Sequence, residues 1–288
     1  MFTDVLTECT CVVSGKLAQK TPQLKSLHGT GLTPTIRVLA VALTYAEPST
    51  PGEHPLKDPV QDIKHIRAQL SEFDCVQFTA LYEAKATFKN ILDSLRVQLS
   101  CCQEGDLFVL YLAGHALSTI ENGFEFVTYY EKIEEQQGAR FHYQDILEYI
   151  KDYCPPGVHV LQIRDTCYAS PNYEEIQEIL LLKDKSIMVL AACAVSQLSY
   201  ESSPVPHSLF LRQMASAAEA LKSDVSIGKD LRASIIAFWN AVLLPIPVFK
   251  AGVYQSQYPQ LVPRESQLVE FVSFLVRLIQ QLRDSSPE

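Results

Sequence analysis

Leu107-Phe-Val-Leu-Tyr-Leu-Ala-Gly114-His115-Ala116 is a run of apolar and aromatic residues that stops at a glycine, a histidine and an alanine. A second run of the same kind, Val158-His-Val-Leu-Gln-Ile-Arg164-Asp165-Thr166-Cys167, stops at a cysteine. Continuous apolar strands of this type belong to parallel sheets covered by helices on both faces, and in such sheets functional residues gather at the carboxyl ends of the strands. Two neighbouring parallel strands would therefore present His115 and Cys167 side by side, as a base and a nucleophile. Taken singly, each has a plainer reading: a strand-terminal cysteine as a buried thiol, a strand-terminal histidine as a hydrogen-bonded structural residue, and Asp165 as a turn cap.

Ala113-Gly114-His115 and Asp165-Thr166-Cys167, each at the end of a hydrophobic strand, resemble the catalytic His and Cys segments of the caspase, metacaspase and paracaspase superfamily. The separation agrees with the spacing of about 50 residues between the two in caspases. The context Ile163-Arg-Asp-Thr-Cys-Tyr168 lacks the true-caspase signature and is closer to the Asp-x-Cys form of metacaspases and paracaspases. The resemblance runs from Ile36 to Leu261. It includes Leu56-Lys-Asp-Pro-Val-Gln-Asp62 ahead of a helix, a hairpin after the histidine, Val189-Leu-Ala-Ala-Cys193-Ala, Ser208-Leu-Phe-Leu-Arg212 and Ser256-Gln-Tyr-Pro-Gln-Leu261.

The resemblance implies an α/β fold, a caspase-like three-layer sandwich with a mostly parallel central sheet and helices on both faces. It implies a cysteine endopeptidase in which Cys167 attacks the peptide carbonyl, His115 moves the proton, and the main-chain N–H groups of Ala116 and Cys167 form the oxyanion hole. Asp62 and Asp165 match acidic positions of the specificity pocket, which implies protein or peptide substrates cleaved after Arg or Lys. In the family a second glycine follows the histidine, where this chain has Ala116; alanine keeps the amide but is penalised if the position needs positive φ. Ala116 therefore favours the alternative, a catalytically inactive caspase-like module acting as a protein-binding or regulatory scaffold. Calcium activation is not expected, because Ser118 to Asn122 lacks the acidic cluster of calcium-responsive metacaspases.

Composition sets the outer limits. The 288 residues are 47% hydrophobic, which excludes general disorder, and the formal charge of −9 argues against nucleic-acid or anionic-membrane partners. No apolar run reaches the roughly 18–20 residues of a membrane span, and the amino terminus lacks a signal-peptide pattern, so a cytoplasmic location is expected. The eight cysteines, spread from Cys9 to Cys193, are expected to be free thiols. Cys9-Thr-Cys11 and Cys101-Cys102 lack zinc-site spacing, and neither a metal nor another cofactor is expected.

Residues 1–35 read as a flexible arm or pro-segment, 36–262 as the peptidase-like domain (36–182 large-subunit-like, 186–262 small-subunit-like) and 263–288 as a carboxyl-terminal helix and tail. Strands are expected at 36–45, 75–81, 187–192 and 248–254, and the resemblance implies that 256–261 is the last core strand. Helices are expected from Pro59 and over 88–99 (capped by Thr87), 143–153, 173–182, 206–221, 224–242 and 265–282. Asn122-Gly123 marks a hairpin turn. By itself Asp62 reads as a solvated residue offsetting a helix dipole, and Cys193 reads as core. Lys183 and Lys185 lie where the two subunit-like parts join, and are either a solvated loop or a self-processing site for an enzyme of basic specificity. The last sheet strand offers an edge for homodimerisation unless the final helix covers it.

Overall fold

The computed structural model describes residues 34–46, 54–71, 73–119, 123–130, 132, 139–199, 207–227, 229–250, 253–262 and 265–284. Its centre is a six-stranded sheet of β1 (Ile36–Ala42), β2 (Val76–Tyr82), β3 (Leu107–Gly114), β7 (His159–Thr166), β8 (Ser186–Ala191) and β11 (Gln260–Val262), in the order β11-β8-β7-β3-β1-β2. All neighbours are parallel except β11, which runs antiparallel to β8. Every residue of β3 is buried, as a strand covered on both faces requires.

The pleat divides the sheet residues between two cores. Leu39, Val41, Phe108, Leu110 and Leu112 face α2 (Phe88–Ser100), α3 (Tyr143–Tyr153), α4 (Tyr173–Leu181) and a small antiparallel sheet, β4 (Ala116–Thr119), β5 (Gly123–Val127) and β6 (Arg140–His142). Val38, Ala40, Val109, Tyr111 and Ala113 face α1 (Pro59–Leu70), α5 (Leu209–Ser226), α6 (Leu231–Val242) and α7 (Glu265–Asp284). This is a caspase-like α/β sandwich with helices on both faces. The last helix adds Phe271, Val272, Phe274 and Leu278 to the second core. No described helix is long and apolar enough to cross a membrane.

Three expected elements differ, one being the last core strand: Ser256 and Gln257 lie outside the main sheet, and β11 begins only at Gln260. Residues 224–242 are not one helix: α5 ends at Ser226 and α6 starts afresh at Leu231, where the Asp230 carboxylate accepts from the Ala233 N–H at 2.7 Å. An N-cap of this kind satisfies an otherwise unpaired helix donor. Residues 248–254 are not one strand either. β9 (Ile246–Lys250) and β10 (Val253–Gln257) pair antiparallel, outside the main sheet. Buried Ile246 and Val248 flank exposed Pro247, the period-two pattern of a half-covered strand rather than of a buried parallel one. The expected amino-terminal arm lies almost entirely outside the described residues, as do Cys9, Cys11, Asn122 and most of the acidic stretch after Tyr130.

Candidate active site

The register of β3 and β7 sets the site. Their last rung pairs Gly114 with Thr166, so His115 and Cys167 are the next residue on each strand. Both line a cavity of about 440 Å³ at the carboxyl end of the sheet, together with Ala116, Asp62, Asp165 and Ser208.

His115 is held from three sides. Its main-chain N–H donates to the Tyr45 hydroxyl at 3.0 Å, and that hydroxyl donates to the Val127 carbonyl at 2.7 Å. The Tyr45 ring lies 4.6 Å from the imidazole, centre to centre. Nε2 is 2.6 Å from the carbonyl oxygen of His54. A carbonyl only accepts, so Nε2 carries the proton and Nδ1 is left as the basic nitrogen. Gly114 makes the close approach feasible: a Cβ there would lie 2.8 Å from the Tyr45 hydroxyl and 3.2 Å from the Phe126 ring.

Cys167 is half-buried, with its Sγ 3.9 Å from the Ser199 carbonyl. The next residue, Tyr168, has φ 52°, and its N–H donates to the Gln197 carbonyl at 2.8 Å. This left-handed residue turns the chain sharply after β7 and leaves the thiol at the strand tip. The facing loop is pinned through Gln197, whose side-chain oxygen accepts from the Ala194 and Tyr258 N–H groups at 3.2 and 3.1 Å. None of the six described cysteines is in a disulfide. Burial pushes the Cys102 and Cys193 thiols up to about 12 and Cys154 up to about 11, so these remain protonated; Cys193 packs against Ala169 and Ala191.

Positive φ among the described non-glycine residues occurs at Tyr45, Glu83, Tyr168 and His207, and Ala116 is not one of them. Its Cβ therefore carries no left-handed penalty, and its side chain is buried in the core beneath the hairpin. Ala116 pairs with Phe126, while the Val127 N–H donates to the His115 carbonyl. That makes Ala116–Phe126 a non-hydrogen-bonded pair, so the Ala116 N–H points away from β5.

Asp62 and Asp165 meet across Ser208, the N-cap of α5. Asp62 is 1% exposed: its Oδ2 accepts from the Ser208 N–H at 3.0 Å and its Oδ1 from His207 Nδ1 at 2.6 Å. It is thus a buried, doubly bonded carboxylate and not a solvated dipole-offsetting residue. Asp165 accepts from the Ser208 hydroxyl at 2.5 Å, the Tyr111 hydroxyl at 3.3 Å and the Ser199 hydroxyl at 3.4 Å. Burial pushes the Asp165 carboxyl up to about 7, the nearby Asp62 charge adding to the effect and the Ser208 bond opposing it. Burial likewise raises the Asp62 carboxyl, against the Ser208 and His207 hydrogen bonds. Among the described residues no three His, Cys, Asp or Glu side chains group as a metal site would need.

Lys185 requires a correction. Its side chain is buried and Nζ donates to the Cys154 carbonyl at 2.5 Å, so it is not the exposed residue that a self-processing site needs. Lys183 is exposed in the turn before β8. Sequence reasoning missed Tyr45, His54, Ser199, His207 and Ser208. The Ser-before-helix signal of Ser208 was visible; its partner Asp62 is 146 positions away, beyond any local pattern.

Neither a family model nor a curated protein sequence matches the chain. Solved structures do. Protein GSU0716 from Geobacter sulfurreducens aligns at a TM-score of 0.54 and 16% identity over 82% of this chain and 97% of that one. Caspase-1 from Spodoptera frugiperda aligns at a TM-score of 0.52 and 11% identity over 80% of this chain and 86% of that one. At such identities the likeness is one of fold.

Proposed function

Proceeding from a caspase-like fold, we propose that this protein is a cysteine endopeptidase of the metacaspase and paracaspase type, cleaving after Arg or Lys through His115 and Cys167. The observation that carries the reading is the β3–β7 register, which makes His115 and Cys167 neighbours at the mouth of a cavity lined by two buried carboxylates. In the proposed cycle Cys167 Sγ attacks the scissile carbonyl as thiolate. His115 Nδ1 takes the thiol proton, gives it to the leaving amine, and then activates the water that releases the acyl group. The His54 carbonyl fixes the tautomer and Tyr45 the ring position.

The N–H groups of Ala116 and Cys167 would hold the oxyanion, each such donor being worth about 2.7–4 kcal/mol of barrier. Ala116 is not at positive φ, which counts against the inactive alternative. Asp62 and Asp165 suit a guanidinium or ammonium group through charge-assisted hydrogen bonds and would repel an aspartate. A basic P1 group would also favour the ionised form of Asp165, which burial disfavours. β11, at the end of the sheet, supports a dimer formed by edge pairing of two copies.

The test is hydrolysis of reporter peptides ending in Arg, Lys or Asp, with Cys167→Ala as the blank. Cysteine-dependent release after Arg and Lys is expected. Release after Asp, or equal release by the blank, would refute the reading.

A further inference from the structure

One wall of the cavity is a loop with no ladder of its own. Residues 192–199 form neither helix nor strand, yet Leu198 and Ser199 line the cavity together with Cys167 and Tyr168. The polar backbone of such a segment must find its partners elsewhere. Two glutamines supply them, each gripping the segment that carries the other. Gln197 Oε1 accepts from the Ala194 and Tyr258 N–H groups at 3.2 and 3.1 Å, and its Nε2 donates to the Ser256 carbonyl at 3.3 Å. In return the fully buried Gln257 donates through Nε2 to the Ala192 carbonyl at 2.8 Å and to the Ser199 hydroxyl at 3.4 Å. The loop is thus fastened at both ends by Gln257 and between them by Gln197. Its main chain then meets the nucleophile strand. The Gln197 carbonyl accepts from the Tyr168 N–H at 2.8 Å and lies 3.2 Å from Cys193 Sγ, and the Ser199 carbonyl is 3.9 Å from Cys167 Sγ. Tyr168 has φ 52°, a conformation that persists in a residue with a side chain where its surroundings over-determine it. The bond from its N–H to the fastened loop is one such restraint.

We propose that Gln197 and Gln257 are positioning residues for the nucleophile: acting through the main chain of residues 192–199, they hold the turn at Tyr168 and so set the direction in which Cys167 leaves β7. The inference rests on the peptidase reading above. Neither glutamine lines the cavity, so both act through residues that do. Both are uncharged amides, and their effect is one of geometry. The acidic pair is held separately. Asp62 is bonded by the Ser208 N–H at 3.0 Å, and Asp165 by the Ser208 and Tyr111 hydroxyls at 2.5 and 3.3 Å, from residues outside the loop. The loop adds the longer Ser199 bond to Asp165, 3.4 Å. Loosening the loop should therefore misplace the thiol while leaving the arginine pocket nearly intact.

The test separates kcat from KM in the full chain, on a reporter peptide ending in arginine. Gln197→Met and Gln257→Met keep the length of the side chain and remove its hydrogen bonds; Gln197→Glu keeps an acceptor for both N–H groups. Urea midpoints confirm that each form is folded at the assay temperature, and Gln197→Asn, one methylene short of both donors, replaces the methionine form if that does not fold. Each methionine variant should lower kcat by about 10- to 100-fold with KM within about two-fold of the parent, the signature of a misplaced reacting group. The double variant should be about as slow as the slower single one, because the two side chains hold one loop. Gln197→Glu should recover most of kcat. Unchanged kcat in both methionine variants, a loss carried by KM alone, or losses that multiply in the double variant would overturn the positioning role and leave the peptidase reading standing. Absence of Cys167-dependent cleavage in the parent itself would overturn both.

Discussion

Asp165 is held in the folded chain at a cost that a substrate would offset. Its carboxyl is pushed up from 3.8 to about 7 mainly by burial, so the folded state binds this proton more tightly than the unfolded chain. The stabilising contribution is therefore complete below about pH 4 and is lost as pH rises through about 7. Asp165→Asn keeps an acceptor for Ser208 and Tyr111 and removes the charge. It should raise stability at pH 8 by roughly 2–4 kcal/mol, the size of a shift of about three pKa units, and leave pH 4 nearly unchanged, as urea midpoints would report. The same variant should lose binding of Arg-ended peptides. Gly114 is tested differently: Gly114→Ala drives a methyl into the Phe126 ring and into the Tyr45 hydroxyl that accepts from the His115 N–H. Displacement of a catalytic group by about 1 Å costs about 10²-fold in rate, so kcat should fall by that order while KM for Arg peptides stays close to the parent value.

The strand that carries Asp165 also carries Arg164, and the pleat sends the two to opposite faces. Arg164 is fully buried, paired through both terminal nitrogens with the equally buried Glu175 of α4, bonded to the Gln162 side chain at 2.7 Å, and stacked 4.2 Å from the centre of the Phe124 ring on β5. One side chain thus ties helix, hairpin and β7 together. Glu175→Ala should cost about 3–5 kcal/mol in denaturant unfolding, because an unpaired buried charge remains, whereas Arg164→Met combined with Glu175→Leu should fall close to the parent. The buried parallel strands and most helices were legible because apolar runs and caps are local: Tyr143–Tyr153 is found over the residues its periodicity marks, and Thr87 caps α2 as expected. The helix break before Leu231 was missed: Gly228-Lys-Asp230 carries a breaker and a cap residue, but the apolar pattern on either side hides it. The Arg164–Glu175 pair was not legible, since a charged residue in a buried strand declares its partner only in three dimensions.

Across the whole molecule, the site is built where distant segments converge: β1 and its loop supply Tyr45 and His54, α1 supplies Asp62, and the start of α5 supplies Ser208. His115, Cys167, Asp62 and Asp165 could be named from the sequence because strand ends and a resemblance mark them. Tyr45, His54 and His207 could not, as their roles depend on contacts 61 to 145 positions away. The final helix is fastened to the sheet through His159 of β7, whose ring stacks 3.8 Å from Phe274 and whose imidazole burial pushes down to about 4. A lowered histidine value means that the folded state holds this proton less tightly than the unfolded chain. The contribution is full above about pH 6.5 and is lost as pH falls through about 4. His159→Phe should flatten that acid-side decline in urea midpoints and leave neutral stability little altered; an unchanged decline would place the acid sensitivity elsewhere.

Covalent labelling bears most directly on the proposed dyad and pocket. The protein is treated with two peptidyl acyloxymethyl ketones, one carrying arginine and one aspartate next to the reactive group, and the adduct is located by peptide mapping. The arginine reagent should label Cys167 alone among the cysteines, fail on Asp165→Asn, and outpace the aspartate reagent by orders of magnitude. Equal labelling by both reagents, or an adduct on another cysteine with Cys167 untouched, would contradict the assignment of His115 and Cys167 to an arginine-directed peptidase.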